Sequence, residues 1–227
     1  MSNPVRRLAG RAKRRIVEFF ALDRFLRHCT GVIHVGANSG QERELYAQHG
    51  LNVVWIEPLD EPFRALKGNI ARFPHQIAIQ ALVTNKDGDR HILHVANNEG
   101  ASSSILEFNQ VNDIWPDIHY IRDVEMQSVT LPTALKGIDL ACYDALVIDT
   151  QGTELLILEG AAPLLPRFKY IKTEAANFEL YKNCASERAI IRFLSTHGFR
   201  VQRKEFLPSQ YTHPTGGRCF DLLFKRA

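Results

Sequence analysis

Residues 32–42 read VIHVGANSGQE, an apolar run that passes into a turn of small residues and then into a polar segment. The apolar run predicts a buried strand, and the polar segment after the turn predicts a helix. Because Gly36 and Gly40 carry no side chain, the backbone amides of the turn can approach a ligand closely at the carboxyl end of the strand. This strand-turn-helix unit is typical of a parallel α/β sheet that binds its ligand at that edge.

An acidic residue follows the next predicted strand at an informative distance. Residues 53–58 read VVWIEP, and Glu57 stands 21 positions after Gly36. An acid at the tip of the second strand is placed to accept hydrogen bonds from both hydroxyls of a ribose. The turn and the acid together predict a ligand that contains a nucleoside.

The composition of the turn narrows the choice of nucleoside. A dinucleotide site uses G-x-G-x-x-G so that a pyrophosphate rests on a helix N-terminus, whereas this turn reads GANSG. Glu42 and Glu44 in the next turn would repel phosphates, but they suit a ligand that carries a sulfonium and an ammonium group. S-adenosylmethionine is such a ligand, so we expect it in preference to NAD.

A second motif lies later in the chain, at residues 145–154, which read ALVIDTQGTE. A buried strand ends there in Asp149, Gly152 permits a close turn, and Thr153 is a candidate cap for a helix that ends near Gly160. Residues 170–174, YIKTE, place Glu174 at the end of the next predicted strand. We therefore expect Asp149 and Glu174 to flank one crevice, with a purely structural turn or salt-bridge role as the alternative for each.

The rest of the chain alternates β-branched runs with helical patterns, which predicts a mostly parallel sheet with helices on both faces and an antiparallel end. The predicted strands span residues 31–36, 52–57, 77–84, 90–95, 127–131, 144–149 and 170–174. The predicted helices span residues 40–50, 60–72, 153–165 and 185–197. Residues 199–206 and 219–225 predict a closing hairpin.

The charge of the chain is unevenly distributed. The 227 residues carry a net charge of +3, but the first fifteen contain six bases and no acid, which leaves −3 for the remainder. Read as a helix, this N-terminal segment has an apolar stripe, and such a helix either rests on an anionic membrane surface or packs on the main domain. We predict a basic amphipathic helical segment over residues 1–30, with residues 1–22 as the candidate for peripheral membrane contact, and one Rossmann-like domain over residues 31–227.

Composition also bounds the setting of the protein. Four scattered cysteines, with no Cys-x-x-Cys pair, favour a reduced cytoplasmic chain, at most peripheral to the inner membrane surface. The apolar part of the N-terminal segment is interrupted by Glu18 and Asp23, so it does not resemble a secretory signal. The sequence contains no zinc finger, aromatic RNA-reading strand or further basic stripe, and we expect no nucleic-acid partner.

The order of these motifs is similar to that of FkbM-type S-adenosylmethionine-dependent methyltransferases. The resemblance runs from about residue 31 to residue 200 and rests on residues 32–42, Glu57-Pro58, the stretch ASSSIL at 101–106, and residues 148–154. It implies a Rossmann-like class I methyltransferase fold with a seven-stranded sheet. It also implies methyl transfer to a hydroxyl oxygen, with sugars, glycans or related natural products as acceptors. The N-terminal 30 residues fall outside it.

Site residues follow from the motifs and from the resemblance together. The expected cofactor-binding residues are His34, Gly36, Ala37, Asn38, Gly40, Glu42, Glu57, Pro58 and Asp149. Asp149 is the candidate base that accepts the proton of the acceptor hydroxyl, with Glu174 and His34 as further catalytic candidates. The candidate acceptor-binding residues are Asn98, Ser102, Ser103, Gln151 and Glu154.

Three alternatives remain open at the level of sequence. A divalent ion held by Asp149 and Glu174 has no supporting ligand spacing, so we predict no metal site. A non-catalytic module that keeps the nucleoside pocket at a membrane surface would retain the glycine turn, and a product assay separates it from an enzyme. The polar stretch 97–104 either closes over the crevice or is an ordinary surface loop.

Overall fold

A computed structural model describes residues 22–207 and 212–227 of the chain. The basic helix predicted before residue 22, with its proposed membrane contact, lies outside the described residues. Within those residues, no helix is both long enough and apolar enough to span a membrane.

A seven-stranded sheet forms the centre of the molecule. Its strands stand in the order β3-β2-β1-β7-β8-β10-β9. The first five of these are parallel to one another, and β10 runs antiparallel to both of its neighbours. The bounds are Gly31–Val35 (β1), Asn52–Ile56 (β2), Gln76–Ile79 (β3), Ala145–Ile148 (β7), Tyr170–Ala176 (β8), Phe199–Phe206 (β9) and Cys219–Arg226 (β10). The predicted parallel sheet with an antiparallel C-terminal hairpin is confirmed.

A smaller sheet beside the active edge corrects the sequence interpretation. It contains Leu82–Val83 (β4), Arg90–Ala96 (β5) and Tyr120–Val129 (β6) in the order β4-β6-β5. The single strand predicted over residues 77–84 is therefore two strands in two sheets, and the strand predicted at 127–131 is the end of a ten-residue strand. Strand β6 was not predicted over its full length because four of its ten side chains are exposed and polar and only Ser128 is buried, so it has no apolar run.

Six α-helices connect the strands of the described chain. They are Arg43–Gln48 (α1), Asp60–Ile70 (α2), Val111–Ile114 (α3), Leu131–Ala134 (α4), Glu154–Gly160 (α5) and Glu187–Thr196 (α6). The predicted end of α5 near Gly160 is confirmed, and Thr153 occupies the predicted N-cap position but makes no side-chain capping hydrogen bond. The Thr153 hydroxyl donates to the Thr150 carbonyl oxygen at 3.2 Å and accepts no hydrogen bond from the amides of the first helical turn.

The sheet buries an apolar layer on each face. One layer packs under α4, α5 and α6, and the other, which includes Val53, Trp55 and Val147, packs under α1 and α2. Leu22, Phe25 and Leu26, in or beside the short 3-10 helix Asp23–His28, are buried in this second layer. This helix precedes the predicted boundary at residue 30, and the boundary itself stays a prediction.

Candidate active site

The predicted motifs meet around one cavity at the carboxyl edge of the large sheet. The cavity opens to solvent, and its empty space, which includes open solvent at the mouth, amounts to about 590 Å³. Four segments form most of its wall: the end of β1, the end of β2, the turn after β7, and a loop from the small sheet. Lining residues from the first three include Gly36, Asn38, Glu57, Pro58 and Asp149.

Gly36 joins the two principal motifs. It adopts a φ of +83°, and a Cβ at this position would overlap the carbonyl oxygen of Asp149. The amides of Gly36 and Ala37 both donate to the Ile56 carbonyl oxygen at 3.0 Å, and the Asp149 amide donates to Val35 at 3.0 Å. The glycine turn is therefore fixed against the ends of both neighbouring strands.

Glu57 holds the cofactor turn from the side of β2. One carboxylate oxygen accepts the Asn38 amide at 2.8 Å, and the other accepts the Leu59 amide at 3.0 Å. Burial raises the pKa of Glu57 to about 7, although both backbone hydrogen bonds act in the opposite direction. Each oxygen retains a lone pair, so the side chain suits a pair of ribose hydroxyls.

We expect Glu57→Ala to weaken binding of S-adenosylmethionine by about 1.5–3 kcal/mol, the value of hydrogen bonds to a charged group. Titration calorimetry measures this loss, and Glu159→Ala, at an exposed acid bonded to Asn85, is the matched control. Because the carboxylate is the binding form, wild-type affinity should rise as the pH passes through about 7. Unchanged affinity in the variant would refute the ribose assignment.

A row of carboxyl groups crosses the edge of the sheet. Glu174 of β8 is directly opposite Asp221 of β10, which in turn is opposite Glu205 of β9. Asp149 follows β7 at the position beside Glu174, because Ile148 pairs with Thr173. Burial raises the pKa values of Asp149 and Glu174, and their mutual repulsion raises that of Glu174 further. The structure thus brings the two predicted acids together and adds two that sequence reasoning missed.

The turn after β7 fixes the direction of the Asp149 carboxylate. Gln151 has a φ of +59°, and its side-chain amide donates to the Asp149 carboxylate at 2.9 Å. The side-chain oxygen Oε1 of Gln151 accepts a hydrogen bond from the Tyr181 hydroxyl at 2.8 Å. Glu154, which is 6% exposed, closes the same turn by accepting the amides of Gly152 at 3.0 Å and Thr150 at 3.2 Å. Glu154 therefore stabilises the backbone of the turn through these two hydrogen bonds.

The polar loop 97–104 crosses the cavity and is bonded on both sides. The Asn38 side-chain amide donates to the backbone carbonyl oxygen of Glu99 at 3.1 Å. The Ser104 hydroxyl donates to the backbone carbonyl oxygen of Gln151 at 2.8 Å. Of the three predicted acceptor-binding residues here, Ser103 lines the cavity. Asn98 and Ser102 are hydrogen-bonded to each other.

His34 faces the apolar layer under α1. Its ring stacks on Trp55 with centroids 4.9 Å apart, and Nδ1 lies 3.1 Å from the Tyr46 hydroxyl. Burial lowers the pKa of His34 to about 3, so the imidazole is neutral at neutral pH.

Three other predicted cofactor residues shape the turn around the cavity. Ala37 is buried in the core. A Cβ at Gly40 would meet Leu66 of α2. Glu42 stands before α1, and burial, reinforced by the charge of Asp149, raises its pKa to about 7.

Sequence reasoning also missed Lys172 and Asp23, which form an ion pair below the row of carboxyl groups. A signal for Asp221 was present in the sequence, since it is the single charged residue within the apolar run FDLLF at 220–224. The burial of such residues requires a partner or a function. Among the described residues, no group of three or more His, Cys, Asp or Glu side chains is arranged to hold a metal ion.

Solved structures that share this fold include methyltransferases. Magnesium protoporphyrin IX methyltransferase from Synechocystis PCC 6803 matches with 12% identity and a TM-score of 0.51 when S-adenosylmethionine is bound, over 98% of this chain and 82% of that chain. Its complex with S-adenosylhomocysteine matches with 10% identity and a TM-score of 0.53, over 96% and 83%. The METTL16 methyltransferase domain matches with 13% identity and a TM-score of 0.54, over 93% and 67%.

Sequence comparison supplies the family. Curated proteins include no significant match. A family model described as the methyltransferase FkbM domain matches residues 34–201, which include the end of β1, the glycine turn, Glu57 and the Asp149 turn. This chain belongs to the FkbM methyltransferase domain family.

Proposed function

We propose that this S-adenosylmethionine-dependent methyltransferase methylates a hydroxyl oxygen of a sugar, a glycan or a related natural product. The observation that carries the proposal is the Asp149 carboxylate, which is oriented by Gln151 and borders the same cavity as Glu57. A hydroxyl is a weak nucleophile, and a positioned carboxylate that accepts its proton supplies about 10²–10⁴ in rate. The resemblance to the FkbM family supports the choice of acceptor class.

The residues present fit the cofactor. Gly36 leaves room for close backbone approach, Glu57 offers carboxylate oxygens to the ribose, and the carboxyl groups of Glu42 and Asp149 favour positive charge. When bound, S-adenosylmethionine supplies an electrophilic methyl group on a sulfonium. The protein has to hold the acceptor oxygen in line with that group and keep water away, for which the loop 97–104 is well placed.

The two neighbouring acids divide the proton chemistry between them. Two carboxyl groups in one buried site do not both ionise easily, because the first negative charge opposes the second. The Gln151 side-chain amide donates to Asp149 and favours its ionised form, so we assign the negative charge to Asp149 and the retained proton to Glu174. Asp149 then accepts the hydroxyl proton as the new oxygen–carbon bond forms.

Incubation with methyl-labelled S-adenosylmethionine and cell-surface glycan extracts tests this function. We expect label in a glycan or small hydroxylated product, at a position that resists mild base as a methyl ether does. Cofactor binding without any labelled product would favour the alternative, a non-catalytic nucleoside-binding module. Label on nitrogen or carbon would support methyltransferase activity but refute a hydroxyl acceptor.

A cytoplasmic setting, with peripheral membrane contact through residues 1–22, is part of the same proposal.

A further inference from the structure

Lys172 lies directly beneath the row of carboxyl groups. It precedes Glu174 by two residues in β8, so both side chains project from the same face of the sheet. Strand register places it beside Val147, which is next to His34. Its ammonium group is 3.2 Å from Asp23, and the two side chains are 15% and 5% exposed.

The ionisable groups around Lys172 come from every element on this face. Asp23 belongs to the 3-10 helix, His34 to β1, Asp149 follows β7, and Asp221 belongs to β10, while Glu42 precedes α1 and Glu174 is on β8 itself. His34 is neutral and bonded to Tyr46. Glu205 of β9 is paired with Arg203 on its own strand. The face therefore holds many carboxyl groups and the positive charge of Lys172.

Without a nearby cation, the buried carboxyl groups on this face would not ionise readily. A carboxylate taken out of water loses hydration, and adjacent carboxylates repel one another, so each would keep its proton. Burial lowers the pKa of the Lys172 ammonium, but Asp221 and Asp23 outweigh burial, and the pKa stands above its ordinary value. Lys172 is therefore charged across the physiological range, and its charge acts on Asp149 and Glu174.

We propose that Lys172 is a positioning residue of the active edge: anchored by Asp23, its ammonium group supplies the positive charge that allows Asp149 to act as a carboxylate. The inference rests on the proposed role of Asp149 as the base. Lys172 acts through Asp149 and has no contact with the reacting atoms in this scheme. It links the N-terminal 3-10 helix to the chemistry, because the anchor residue belongs to that helix.

Carbon-13 NMR of the Asp and Glu carboxyl groups tests the proposal without any acceptor. The Asp149 signal is assigned with Asp149→Asn, and its titration midpoint is compared between wild type, Lys172→Met and Lys172→Arg. Loss of a nearby opposite charge should raise the midpoint by about one pH unit or more in Lys172→Met. Lys172→Arg, which keeps the charge, should stay close to wild type.

The control is Lys169→Met. Lys169 is exposed, directly precedes β8 at the end of the strand away from Glu174, and pairs with Asp144. The substitution should leave the Asp149 midpoint unchanged. If Lys172→Met does not fold, Lys172→Met/Asp23→Asn is compared with Asp23→Asn, since removal of both members of a buried pair is tolerated better than removal of one. The midpoint should again rise.

An unchanged midpoint in a folded variant that still binds S-adenosylhomocysteine would overturn the proposal. Failure of the proposed function is a separate result, because it would appear as normal turnover in Asp149→Asn. Once an acceptor is identified, the acidic limb of the kcat/KM profile of Lys172→Met should shift upward with the Asp149 midpoint. A purely structural role for Lys172 would lower stability and leave both quantities in place.

Discussion

Methyl transfer by Asp149→Asn should fall by about 10²–10⁴-fold, the contribution expected of a general base. Asparagine keeps the shape of the side chain and can still bond to Gln151, so the turn after β7 should survive. The cofactor affinity and the free energy of unfolding should remain within about 1 kcal/mol of wild type. Single-turnover rates with saturating cofactor measure the chemical step, and calorimetry measures the affinity.

Asp89→Asn is the matched control for this variant, because Asp89 is partly exposed and pairs with Lys86 away from the cavity. It should turn over at the wild-type rate. Turnover near wild type in Asp149→Asn would move the base elsewhere, with Glu174 as the next candidate. Loss of the folded state would make Asp149 a structural residue of the turn.

Gly36→Ala should abolish cofactor binding and strongly destabilise the fold. The φ of +83° costs an alanine about 1–2 kcal/mol, and its Cβ would also meet the Asp149 carbonyl oxygen. That oxygen belongs to backbone fixed by the β1–β7 ladder, so relief requires the two strand ends to separate. Thermal unfolding and titration with S-adenosylhomocysteine measure the two effects.

Gly88 provides a control that isolates the contact from the backbone conformation. Its φ is +80°, and nothing lies within 4 Å of a Cβ built there. Gly88→Ala should therefore show the conformational cost alone, with cofactor affinity preserved. Equal stability losses in the two variants would mean that the strand ends move apart freely, and the rigid junction between the motifs would be refuted.

The sequence predicted most of the large sheet because its central strands are buried on both faces. Such strands form continuous apolar runs, as in residues 145–148, and these are visible without tertiary information. The exposed strand β6 has no such run, and the small sheet was therefore missed. The break between β3 and β4 was missed for a related reason, since residues 77–84 are apolar enough to pass for one strand.

The candidate site was predictable where it depends on local motifs. Asp149, Glu57 and the glycine turn are adjacent to strand ends that the sequence itself marks. Asp221 enters the site by pairing with Glu174, 47 positions earlier in the chain, and Lys172 enters it by pairing with Val147, 25 positions earlier. No local pattern encodes that register. The bonds of loop 97–104 to Asn38 and Gln151 are long-range in the same sense.

The buried carboxyl groups make the folded protein a proton-binding molecule. Glu42, Glu57 and Glu154 each have a pKa of about 7 in the fold, compared with 4.5 in an exposed chain. Between these values the native state holds more protons than the unfolded state, so the free energy of unfolding falls as the pH rises from about 4.5 through 7. A cationic cofactor favours the ionised acids, so protons and cofactor compete for one face of the protein. Cofactor capture then becomes an ion exchange, in which protons leave as the sulfonium arrives.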